Sequence, residues 1–231
     1  MRLHRFFVTE HIGEKKILRI NDSDLTHQLR HVFRFTVGGQ VILMDNSGME
    51  YRALINEFLP SSVVFSIASK RESKNIPTRE VILFSALVKK DKYEWIVEKG
   101  TELGVSHFAP VISDRSEKKD LNVERLQKII KEASEQSGRA TIPTISEPVS
   151  LEEALEAEFP CFAFHPVADN FVIEHAQNFS PLGIFIGPEG GWTDKEIFLL
   201  KKRGVKIYSL GSLTLRSETA AVAALSLLLL C

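Results

Sequence analysis

The chain has 231 residues, with 29 Lys+Arg against 30 Asp+Glu, a formal net charge of −1, 44% hydrophobic residues and 26% charged ones. These proportions exclude a disordered or fibrous chain, and the length predicts one large domain or two small ones. Only Cys161 and Cys231 are present, which excludes a disulfide scaffold or a cysteine zinc site, and the apolar tract 220–231 is too short to span a membrane.

In chain order, residues 5–8, 16–20, 40–44, 51–58 and 62–69 alternate or are rich in β-formers, with Gly38-Gly39 and Asn46-Ser47-Gly48 as turn signals. Between the second and third of these runs, 22–35 reads as a helix. Asn21 to Asp24 supply cap candidates, and Leu25, Leu29, Val32 and Phe33 share one face. A small barrel-like β domain with one helix is expected over 1–72. The polar, proline-bearing stretch 72–78 reads as a linker, and 73–231 as the second domain.

Beyond it, strands and helices alternate. Strands are predicted at 81–88, 105–112, 161–164, 182–186 and 205–210. Helices are predicted at 91–103, closed by Gly104; at 122–137; after the capping box Ser150 to Glu153; after a second box, Thr193 to Glu196; and at 218–230. Near-continuous apolar strands between helices predict an α/β domain with a mostly parallel sheet covered on both faces.

The neutral total hides a gradient. Residues 1–80 carry 12 Lys+Arg against 9 Asp+Glu and four of the seven histidines, whereas 146–231 carry 6 against 11. A polyanion would meet the first half, though the excess is modest.

Ligands of open α/β sheets bind where strands lead into helix N-termini, and two such junctions stand out. In 186–193, Ile-Gly-Pro-Glu-Gly-Gly-Trp-Thr, glycines let backbone approach a ligand closely; a tight strand-to-helix turn would look the same. The run is neither GxGxxG nor GxxxxGK[ST] and no lysine follows the glycines, which disfavours a dinucleotide or NTP site. The second junction, 209–220, holds Arg216 and Glu218, the only charges between Lys206 and the C-terminus. They open a very apolar helix, as a local ion pair or as part of a site. His27 and His31 have zinc-pair spacing, but Gln28 stands where a metalloprotease helix has glutamate and no third ligand is evident, so no metal is expected. Trp95, Trp192 and Cys161 read as packing residues.

FIGPEGGWTDKEI followed by LGSLTLRSETAAVAAL resembles the knotted SPOUT methyltransferases. With HRFFV, HQLRHVFRFTVGG, KKDKYEWIVEKGTELGV and EASEQSGRATIP, the chain resembles the RsmE family in particular, which methylates N3 of a uridine in 16S ribosomal RNA. One departure is that Arg34-Phe35 stand a residue later than the family's Arg-hydrophobic turn. The resemblance implies a SPOUT α/β knot, a trefoil-knotted sheet, behind a PUA-like RNA-binding β-barrel, and a homodimer in the cytoplasm acting on the small ribosomal subunit. It implies S-adenosylmethionine as cofactor, held by Phe164, by Ile186, Gly187, Pro188, Glu189, Gly190 and Gly191, by Leu210 and Gly211, and by Leu215, Arg216, Glu218, Thr219 and Ala220. It also implies Arg216 as the cation beside the uracil, Arg139 as the second candidate, and Glu189 as substrate ligand or proton acceptor. RNA contact is expected from Arg2, Arg5, His27, Arg30, Arg34, Lys89, Lys90 and Arg139. The alternative expectation is a non-catalytic RNA-binding assembly factor that keeps the fold.

Overall fold

The computed structural model describes residues 3–116 and 120–230. Contacts divide the chain into two compact units, 1–76 with 134–141 and 77–133 with 142–231. No helix among the described residues is long and apolar enough to cross a membrane.

The first unit is built on β1 (Arg5–Phe7), β2 (Ile17–Ile20), the short helix α1 (Ser23–His27), β3 (Gln40–Met44), β4 (Met49–Phe58) and β5 (Val63–Glu72). Its five strands run in the order β1-β3-β4-β5-β2, an open half-barrel path in which β1 and β3 are parallel and the other pairs antiparallel. Period-two alternation sorts the side chains: Tyr51, Ala53 and Ile55 enter the core with Phe6, Leu43 and Phe65, while Arg52 between them is exposed. Asp22 caps α1, its Oδ1 accepting from the N–H groups of Asp24 and Leu25 at 2.9 Å each.

The expected helix over 22–35 is corrected. After His27 the chain widens into a π-helical turn, Gln28–Val32, in which the Phe33 N–H donates to Gln28 O at 2.9 Å. One extra residue per turn rotates the apolar face. Leu25 and Leu29 remain buried, but Val32 is 63% exposed and Phe33 36%.

The second unit holds β6 (Val81–Ala86), α2 (Lys90–Leu103), β7 (His107–Ile112), α3 (Val123–Ser137), β8 (Thr144–Ile145), β9 (Val149–Ser150), α4 (Leu151–Ala154), β10 (Cys161–Phe164), β11 (Leu182–Ile186), α5 (Asp194–Lys202), β12 (Lys206–Tyr208) and α6 (Ser217–Leu229). The last turn of α3 belongs by its contacts to the first unit. Every pair in the sheet is parallel, in the order β12-β10-β11-β6-β7-β8 with β9 also on β7. The central strands β6 and β11 are buried along their whole length, as unbroken apolar runs require. Leu83, Ile184 and Ile186 pack with Ala221 and Leu225 of α6 on one face. Phe84 and Phe185 stack at 4.4 Å on the other, in the cluster that holds Trp192 and Leu200.

Gly104 closes α2 with φ +113, and Asn122 caps α3 by accepting from the Arg125 N–H at 2.9 Å. β12 is shorter than the predicted 205–210 because Ser209 and Leu210 already turn into a loop. β8, β9 and a 3-10 turn at Ile173–His175 are too short to show in a periodicity. Since β10, β11 and β12 are adjacent and parallel, the loops that follow them leave from the same end of the sheet.

Candidate active site

A cavity of about 320 Å³ lies among those three loops, at the carboxyl ends of β10, β11 and β12. Its first wall is the turn after β11. Gly191, at φ +69, donates its N–H to Pro188 O at 2.9 Å. A Cβ on Gly187 would stand 3.1 Å from the Trp192 indole, so only glycine lets the chain pass there without displacing that ring.

The turn is braced from outside. Thr193 and Glu196 form a capping box at the start of α5, with Glu196 Oε2 accepting from the Thr193 N–H at 2.7 Å. Glu196 is only 5% exposed, and its other oxygen accepts from the Asp114 N–H at 2.9 Å. Next to it, Arg115 Nη1 donates to Gly190 O at 2.6 Å. The segment after β7 therefore splints the glycine turn.

The second wall follows β12. Ser209 Oγ donates to Gly211 O at 2.8 Å and accepts from the Gly211 N–H at 3.2 Å, with Gly211 at φ +127. Arg216 then occupies the N-cap of α6 without capping it through its side chain. Ser217 Oγ donates to Gly187 O at 2.6 Å and ties the two walls together. Behind them, Lys92 Nζ on α2 lies 3.4 Å from Glu218 and 3.8 Å from Glu189. Two buried polar atoms lack a hydrogen-bond partner among the described residues, Trp192 Nε1 and Glu218 Oε2.

Of the sequence-predicted cofactor residues, Phe164, Ile186, Gly187, Pro188, Glu189, Gly190, Gly191, Leu210, Leu215 and Ala220 line the cavity. Gly211, Arg216, Glu218 and Thr219 do not: Gly211 shapes the turn, Arg216 and Thr219 are exposed, and Glu218 faces Lys92. Sequence reasoning missed Arg115 and His165 on the cavity wall; Ser209, Thr214 and Ser217, also there, lie in the 209–220 junction but were given no side-chain role. Ser217 sits inside a motif already singled out, whereas no local signal marks Arg115. Trp192 packs as expected and also lines the cavity, whereas Trp95 is 40% exposed, on the outward side of α2.

Arg139 belongs to the first unit, is 7% exposed and donates from Nε to Thr141 O at 2.7 Å. Burial pushes its pKa down to about 10, which leaves it cationic at neutral pH. Arg5 is mostly buried and paired with Glu50 at 3.4 Å rather than extended into solvent. His27, Arg30, Arg34, Lys89 and Lys90 are exposed, with Arg30 over the Phe58 ring and Lys90 3.9 Å from Glu94. Arg2 lies outside the described residues.

Residues 74–229 match the family model described as an RNA methyltransferase domain. The chain is 30% identical to ribosomal RNA small subunit methyltransferase E of Bacillus subtilis, over 97% of this chain and 95% of the relative. A Legionella pneumophila protein solved in complex with S-adenosylmethionine superposes with a TM-score of 0.91 at 28% identity, covering 98% of this chain and 96% of that one. The small subunit methyltransferase E of Neisseria gonorrhoeae, also solved with S-adenosylmethionine, gives a TM-score of 0.89 at 25% identity, covering 97% and 96%. On the family match and these full-length similarities, the chain belongs to the ribosomal RNA small subunit methyltransferase E family of RNA methyltransferases.

Proposed function

We infer that this protein methylates N3 of a uridine in 16S ribosomal RNA of the small subunit, with S-adenosylmethionine held between loops 186–192 and 209–217. The observation that carries this reading is the donor set of the cavity. Among the described residues its one acidic side chain is Glu189, and its one guanidinium, Arg115, is committed to Gly190 O. A polyphosphate finds no uncommitted cation on this wall, whereas a sulfonium or ammonium group can face the Glu189 carboxylate. Phe164, Ile186, Leu210 and Leu215 offer an apolar slot for a purine, and Trp192 Nε1 is a buried donor awaiting an acceptor. A Cβ on Gly190 would stand 3.1 Å from Arg115 Cδ, so a larger residue there would press on the arginine that braces the turn. The same fold binds S-adenosylmethionine in the Legionella and Neisseria proteins.

When bound, S-adenosylmethionine supplies an electrophilic methyl group. The chain's own residues do the rest. The apolar walls exclude water, and the braced turns hold reactants in line, which is where much of the rate arises. Uracil N3 lies on the Watson–Crick edge, so the target base must be unpaired, and it must shed its proton as the new N–C bond forms. Arg216, exposed and without an ion pair among the described residues, stabilises the negative charge that then develops on O2 or O4. Glu189, poised 3.8 Å from Lys92, accepts the proton or binds the substrate; Arg139 is the second candidate for the cation.

The finer fold reading is a trefoil knot formed by the C-terminal segment. The bond between Ser217 and Gly187, thirty positions apart, supports it. The half-barrel first unit is read as a PUA-like RNA-binding domain, with His27, Arg30 and Arg34 exposed on it. Leu227 and Leu230, 39% and 69% exposed on and just after α6, support a homodimer. The setting would be the cytoplasm, where small subunits are assembled.

The test is transfer of labelled methyl from S-adenosylmethionine to small-subunit particles that lack the modification, followed by mass mapping of the RNA. N3-methyluridine is the expected product. No detectable binding of S-adenosylmethionine by calorimetry would instead favour a non-catalytic RNA-binding assembly factor that keeps the fold.

A further inference from the structure

Lys92 is the third residue of α2, in the turn where the helical N–H groups disfavour a positive charge. Its own helix offers it no carboxylate one turn on, since that place holds the buried Ile96, whereas Lys90 has Glu94 there. The adjacent Tyr93 is buried, and Ile96 and Val97 pack with Ala221 and Leu225 of α6, so the backbone of Lys92 is fixed against the start of that helix.

What answers the ammonium is far away in sequence. Nζ lies 3.4 Å from Glu218 Oε1 and 3.8 Å from Glu189 Oε1. The side chains of Lys92, Glu218 and Glu189 are 24%, 15% and 26% exposed, so solvent screens them only in part. Glu218 is the nearer partner. Its other oxygen, Oε2, is buried without a hydrogen-bond partner among the described residues, which leaves Lys92 to balance that carboxylate. Two carboxylates and one ammonium leave one negative charge uncompensated. Glu218 lies off the cavity wall and Glu189 lines it, so Glu189 presents that charge to the cavity.

The cofactor before and after reaction differs by one charge. S-adenosylmethionine carries a sulfonium, an ammonium and a carboxylate, and is a cation overall. When the methyl leaves, the electron pair of the broken C–S bond stays on sulfur, and the thioether S-adenosylhomocysteine is neutral overall. An uncompensated carboxylate favours the first over the second.

We propose that Lys92, shared between Glu218 and Glu189, is a positioning residue that sets the charge selectivity of the cavity, leaving Glu189 enough negative charge to prefer the sulfonium cofactor over its neutral thioether product. This rests on the S-adenosylmethionine reading of the site and adds how product is told from cofactor.

Calorimetry on the full chain would measure the affinity for S-adenosylmethionine relative to S-adenosylhomocysteine. The two ligands have nearly one shape, so a loosened fold weakens both and leaves their ratio unchanged. Lys92→Met keeps the apolar stem without the charge, and the ratio should rise by about tenfold. Glu218→Gln is nearly isosteric and frees Lys92 to neutralise Glu189, so the ratio should fall by about tenfold, as it should in Glu189→Gln. Lys92→Arg should keep the ratio of the unaltered protein. Sinefungin, in which an ammonium-bearing carbon replaces the methylsulfonium, should follow S-adenosylmethionine in every variant, which separates charge from the volume of the methyl. A ratio within about twofold of the unaltered protein in Lys92→Met or in Glu218→Gln, or a shift of the opposite sign in either, overturns the proposal. Should Lys92→Met fail to fold, Glu218→Gln decides alone. Binding of none of the three ligands by the unaltered protein would overturn the cofactor reading instead.

Discussion

Arg216 stands one residue before α6, in extended conformation and exposed, and with Glu218 supplies the charge at the mouth of an apolar helix. If its guanidinium stabilises the uracil anion, Arg216→Ala should lower the methyl-transfer rate by about 10²–10³-fold while leaving cofactor affinity within a few-fold, as single-turnover assays and calorimetry would show. Ser217 acts differently. Its hydroxyl holds Gly187 O at 2.6 Å, so Ser217→Ala should loosen the glycine turn. One such bond contributes about 1 kcal/mol, which corresponds to roughly fivefold weaker binding of S-adenosylmethionine. Neither role shows in composition: a serine beside an arginine reads as an ordinary helix start until the partner carbonyl is located.

Short elements were legible where their signal is local. The capping boxes at Ser150 and Thr193 are spaced three residues from Glu153 and Glu196, and both form. Glu196 does more than cap, because Oε1 reaches back to Asp114 and anchors the segment that splints Gly190. Glu196→Ala should therefore cost about 2 kcal/mol, more than an ordinary surface cap, and urea denaturation would measure it. A cost below about 0.5 kcal/mol would mean that the splint is dispensable. The π-helical turn at Gln28–Val32 was not legible, since Leu25, Leu29, Val32 and Phe33 fit an ordinary helical face equally well. Only the packing of Leu25 and Leu29 against the sheet, with Phe33 turned outward, distinguishes the two windings.

At the scale of the whole molecule, the charge gradient carries a pH consequence. Burial raises the Glu50 carboxyl, but the Arg71 hydrogen bond and the charges of Arg5 and Arg71 outweigh that and hold it below the usual carboxylate range. Burial likewise opposes, and hydrogen bonds from Ser47 and Ile12 overcome, the shift at Asp45, which also ends lowered. A lowered folded pKa stabilises the protein above the unfolded value and loses that contribution as pH falls through the folded one. The first unit should therefore weaken from about pH 4 downward, and Glu50→Gln should reduce stability at neutral pH while flattening its acid dependence; thermal melts across that range would test both. The sequence by itself determined the α/β alternation, the parallel sheet, the two glycine junctions and most of the cavity's backbone. These rest on spacings of two to four residues and on unbroken apolar runs, which any single stretch of chain displays. The tertiary structure alone decided that Arg115 meets Gly190, that Lys92 stands between Glu189 and Glu218, that Arg5 is spent on Glu50, and that Phe33 turns outward beside His4. Those contacts join residues far apart in the chain, and strand order and register, not periodicity, bring them together.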